Sequence, residues 1–123
     1  MSKRTDMEAT QLYSAGAVLD TWSSHDWSKG VQLENIPDLT RLEVHTQNSI
    51  YEITVISGRT GDILVRGGQF FTELTEARLA GSSLGGSFLK LRGIYIGFKL
   101  EIHSGERIVV TSRVRSVRFL TSN

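Results

Sequence analysis

Ser83 lies inside Gly81-Ser82-Ser83-Leu84-Gly85, a match to the G-x-S-x-G pattern that presents a nucleophilic serine on a strained strand-to-helix turn. Such chemistry needs an acid and a histidine further along the chain. Glu101 and His103 follow, alternating onto one strand face with Tyr95 and Lys99. The same stretch runs on through Gly86 and Ser87. Successive backbone N–H groups over Gly81, Ser82, Ser83, Gly85, Gly86 and Ser87 could therefore form an anion nest, with Lys90 and Arg92 close behind it. As a phosphate loop the match is poorer. Gly81 and Gly86 have the separation of G-x-x-x-x-G-K-[ST], but position 87 is Ser87 where that pattern needs lysine. A third reading assigns the glycines no chemistry: they supply positive φ and let one backbone pass close to another. A hydrolase elbow sits on a doubly wound sheet with covering helices, and a 123-residue chain without βαβ alternation does not supply one. The geometric reading is preferred, and no catalytic residue is assigned.

The other chemistry-bearing residues are sparse. His25, His45 and His103 show neither H-x-H nor H-E-x-x-H spacing, and the chain has no cysteine, so neither a metal site nor a cofactor is expected. Arg113, Arg115 and Arg118 interleave with Val114, Val117 and Phe119 near the C-terminus. On a small barrel this basic strand could track a phosphate backbone, with Tyr95 or Phe98 for stacking. Arginines on a terminal strand also discourage edge-to-edge aggregation. Nucleic acid is accordingly the secondary expectation for a partner.

Charge is unevenly spread. Residues 1–89 carry a net −4 and residues 90–123 a net +5, within an overall +1. Pairing between the two halves, within or between subunits, is preferred over a basic face for an anionic partner.

The elements that would position these residues follow a period of two. Leu42 and Val44 point inward in one segment, and Tyr51, Ile53 and Val55 in the next; "GRTGD" then turns the chain into "ILVRG". The segment from 93 to 103 reads as one long strand, with Ile94, Ile96, Phe98, Leu100 and Ile102 on its buried face. "SGER" turns it back, and the spacing of Val114 and Val117 implies a bulge near Ser116. Phe70 and Phe71 are adjacent, so one must face outward. Residues 9–22 fit either a helix or a strand, with the strand favoured because Gly16 would weaken a helix. Residues 1–8 read as a flexible tail, with a capping-box pattern at Thr5–Glu8.

These segments predict an all-β fold: one domain over 9–123, an antiparallel small barrel or sandwich of about six to eight strands. Twelve glycines against one proline suit tight turns. Nothing approaches the length of a membrane span or of a signal-peptide core, so a soluble cytoplasmic protein is expected.

Taken together, "TQNSIYEITV", "LVRGGQFF", "RLAGSSLGGSFLKLRGIYIGFKLEI" and "IVVTSRVRSV" resemble a family of small uncharacterised bacterial all-β proteins. The resemblance extends upstream through "GAVLDTW" and "GVQLENIPDLTRLEV". Thr72 and Arg113 stand where that pattern often has proline. The family has no established activity, so the resemblance implies a compact bacterial domain and no site residues. The expected mode of action is association, with a second copy or another protein. The alternative is a nucleic acid or small anionic ligand bound through the 81–87 segment and the basic strand.

Overall fold

The computed structural model describes residues 29–84 and 88–120. The expectations for residues 1–28, including the strand at 9–22 and His25, lie outside the described residues, as do Gly85, Gly86 and Ser87.

The described chain is antiparallel β-structure: β1 (Gly30–Gln32), a 3-10 turn (Leu33–Asn35), β2 (Arg41–Thr46), β3 (Ile50–Ser57), β4 (Asp62–Gly67), β5 (Phe71–Ser83), β6 (Leu89–Leu91), β7 (Gly93–Tyr95), β8 (Lys99–Ser104) and β9 (Arg107–Leu120). Ladders run β2–β3–β4–β5–β8–β9 and return to β2, so six strands close into an up-and-down barrel. Strand β6 adds to the outer edge of β5, and β7 pairs with β1 as a separate two-stranded ribbon. No helix among the described residues is long and apolar enough to cross a membrane.

The two longest strands make closure possible, because each serves two partners in succession. Strand β5 pairs with β4 up to Arg78 and with β8 from Arg78 onward, and Ala80 is an extra residue in that second ladder. Strand β9 pairs with β8 up to Arg113 and with β2 from Val114. At that hand-over His45 opposes Ser116 while Thr46 opposes Val114, which leaves Arg115 as the bulged residue. This is the bulge that the Val114–Val117 spacing implied. Bulges bend a strand and raise its twist, which a small barrel needs at its corners.

Alternation decides what lies inside. Leu42, Val44, Tyr51, Ile53, Val55, Ile63, Val65, Leu79, Leu100 and Ile102 are all buried in one cluster. Phe71 is buried and Phe70 is exposed, as the adjacent pair required. The long strand expected over 93–103 is corrected: it breaks into β7 and β8 at the turn Ile96–Phe98. Gly97 adopts φ +94, a conformation that glycine reaches without the strain an L side chain meets there. The turn is locked when Gly97 N–H donates to the Val114 carbonyl and Phe98 N–H to the Tyr95 carbonyl. Ile94, Phe98, Leu100 and Ile102 stay buried, whereas Ile96 is turned outward and Tyr95 inward.

On the outer face of β4, β3, β2 and β9, Arg66, Glu52, Glu43 and Arg118 stand side by side in one row. Two like charges directly opposite each other repel, and here each glutamate is offset by two basic side chains. Glu52 accepts from Arg41 at 2.7 Å and Arg66 at 2.8 Å; Glu43 accepts from Arg118 at 2.6 Å and His45 at 3.0 Å. The Arg118–Glu43 pair joins the basic C-terminal part of the chain to the acidic part before it. The His45 and then the Arg118 hydrogen bonds hold the Glu43 carboxyl below its ordinary range, and those of Arg41 and then Arg66 do the same for Glu52. A carboxyl depressed in the folded state stabilises above the unfolded value of about 4.3, and that contribution fades as pH falls through the lower folded value. The melting temperature should therefore drop between about pH 5 and about pH 3, and drop less in Glu43→Gln/Glu52→Gln, as read by circular dichroism melts.

Candidate functional site

The Gly/Ser segment begins inside a strand. Gly81, Ser82 and Ser83 end β5, opposite Leu91, Lys90 and Leu89 of β6 on one side and Glu101, Leu100 and Lys99 of β8 on the other. Gly81 has φ +151, and a Cβ there would fall on the carbonyl oxygen of Lys90. Its lack of a side chain is what lets β6 lie against β5. Ser82 is fully buried; its hydroxyl donates to the Gly93 carbonyl at 2.8 Å and accepts from the Tyr95 N–H at 3.0 Å. It thereby anchors the β1–β7 ribbon to the barrel, replacing ladder bonds the ribbon cannot make with β5.

The residues the elbow pattern would need are set apart. Ser83 is buried, and His103 opposes Arg78, five positions back along β5, or about 15 Å at strand rise. Lys90 takes the same face as Ser82, whereas Lys99 shares the opposite face with Ser83. Arg92, at φ +56, ties three segments: its N–H donates to the Ala80 carbonyl and its carbonyl accepts from Leu33 N–H. The C-terminal arginines also divide. Arg118 is in the charge row, Arg115 is the exposed bulge residue, and Arg113 stands opposite Lys99 and donates to the Gly97 carbonyl at 2.9 Å.

Two surface features emerge that no motif announced. One is a pair of adjoining clefts where β5 bends. The larger, about 750 Å³, is bordered by Asp62, Glu76, Arg78 and His103; the smaller, about 300 Å³, by Arg78, Arg92, Glu101, His103, Leu89 and Leu91. Within them His103 Nε2 donates to Glu101 Oε2 at 2.8 Å, which fixes the imidazole over the groove. Arg78 is directly opposite His103 because Ala80 is bulged; the sequence shows both residues but not that register. No grouping of three or more His, Asp or Glu among the described residues is placed to hold a metal ion.

The other feature is the first half of β9. Among the described residues it has a ladder on one edge only, to β8, and its outward residues Ile108 and Val110 are 59% and 50% exposed. Beyond the free edge, a groove of about 270 Å³ separates it from Tyr51 and the exposed ring of Phe70, and the Arg107 guanidinium lies 5.8 Å from that ring centre. Soluble proteins usually blunt such an edge with inward charges or proline, and residues 108–111 carry neither. No family model, curated protein or solved structure matches this chain.

Proposed function

We propose that this chain is a non-enzymatic β-barrel domain that works by association, the first half of β9 pairing antiparallel with the same strand of a second copy. The observation that carries the reading is the exposed pair Ile108 and Val110 on a strand with one edge unpaired among the described residues. Ser104 and Arg107 flank the two-residue turn Gly105–Glu106 and so form a hydrogen-bonded pair. Antiparallel bonding alternates, which directs the N–H and C=O groups of Ile108 and Val110 away from β8. A two-fold axis at Val109 then sets Ile108 of one copy against Val110 of the other, with their backbone groups bonded and their side chains adjacent. Arg107 faces Thr111 in this register, so no like charges meet.

Light scattering and native mass spectrometry test the reading. Wild type is expected at twice the chain mass, and Val110→Pro at the chain mass. Proline removes a donor directed at the partner strand and leaves the β8 ladder intact. A wild type that stays monomeric at high concentration, or a Val110→Pro dimer with wild-type affinity, would contradict it.

A further inference from the structure

The smaller cleft at the bend of β5 combines features that association does not use. Arg78 is exposed and makes no ion pair among the described residues, and it stands beside His103 on the outer face. Arg92 borders the same groove, and its buried Nε lies 3.4 Å from Glu34 Oε1. Glu34 and Glu101 back the Arg92 and His103 side chains respectively and thus orient them. The opposite wall is apolar: Leu89 is half-buried and Leu91 is 55% exposed.

We propose that this groove binds a small carboxylate with an apolar tail, its head held by Arg78 and Arg92 and its tail laid along Leu89 and Leu91. Guanidinium forks match a planar carboxylate through paired N–H donors. A volume of about 300 Å³ admits a short chain. A bare phosphate would satisfy the arginines but leave the leucine wall in water, so tail length separates the two sources of negative charge.

Titration of acetate, butyrate and hexanoate, with inorganic phosphate as a parallel arm, tests the proposal by amide chemical shifts on the full chain. Affinity is expected to rise about threefold per added methylene, with shifts centred on Arg78, Arg92 and Leu91. Arg78→Gln, an exposed substitution that leaves the melting temperature unchanged, should weaken hexanoate about tenfold, and Leu91→Ser should flatten the tail-length series. Binding of phosphate as tight as hexanoate, affinity independent of tail length, or shifts unmoved by Arg78→Gln would each overturn it, as would no binding by any of the four anions. Val110→Pro should bind hexanoate as wild type does, so failure of the dimer and failure of this site are read separately.

Discussion

Gly81→Val should lower the unfolding free energy by about 4 kcal/mol, combining backbone strain with overpacking at one position. The φ of +151 is one that valine adopts only with strain, and the new Cβ would meet the Lys90 carbonyl group, its carbon only 2.8 Å away. That carbonyl belongs to the paired strand, so relief requires β6 to leave β5. Departure of β6 would also disturb the Arg92 backbone bonds to Ala80 and Leu33. Gly97→Ala is the matched control. Its φ is +94 but among the described residues nothing lies within 4 Å of the added Cβ, so only the strain remains, about 1 kcal/mol. Urea denaturation of both variants measures the difference. Equal stability of Gly81→Val and wild type would mean that the Gly/Ser segment does not serve close backbone approach.

Leu100→Ala should cost about 3 kcal/mol and Ile96→Ala less than about 0.5 kcal/mol, although both residues sit at even positions of one alternating run. Leu100 is fully buried in the main cluster, and its N–H donates to the Thr111 hydroxyl at 3.0 Å where β8 and β9 slip register. Ile96 lies on the outside of the Gly97 turn, 38% exposed. If the two substitutions cost the same, residues 93–103 form one continuous strand after all.

The contrast marks what can be read from residues in order. Alternation located Leu42, Val44, Tyr51, Ile53 and Val55 correctly because a half-buried ladder imposes the same period on every strand it contains. The turns at 58–61 and 105–106 were legible from local glycine chemistry. The odd spacing after Val114 disclosed a bulge because inward residues must resume on the same face. What stayed hidden depends on partners distant in the chain. Nothing local to Ser82 shows that its hydroxyl will hold the backbone of β7, and nothing near Glu43 shows Arg118 arriving 75 positions later. Within 93–103 the pattern was real but its continuity was not, since Gly97 permits a turn that alternation cannot register. The groove is the extreme case. Arg78, Arg92 and His103 converge only after β5 changes partners and Ala80 slips the ladder by one residue. The edge of β9 left unpaired among the described residues is likewise a property of the ring, because it follows from where β2 takes over from β8.

Central to all of this is a ring of antiparallel strands closed through two bent strands, with β9 bridging β8 and β2. Backbone nuclear Overhauser effects report that closure directly. Cross-strand contacts are expected within one molecule between Val44 and Val117, between Ile63 and Ala77, and between Ile102 and Val109. Finding the Ile102–Val109 hairpin contact without those at Val44–Val117 and Ile63–Ala77 would mean an open sheet, and the bend of β5, its groove and the one-sided edge of β9 would go with it.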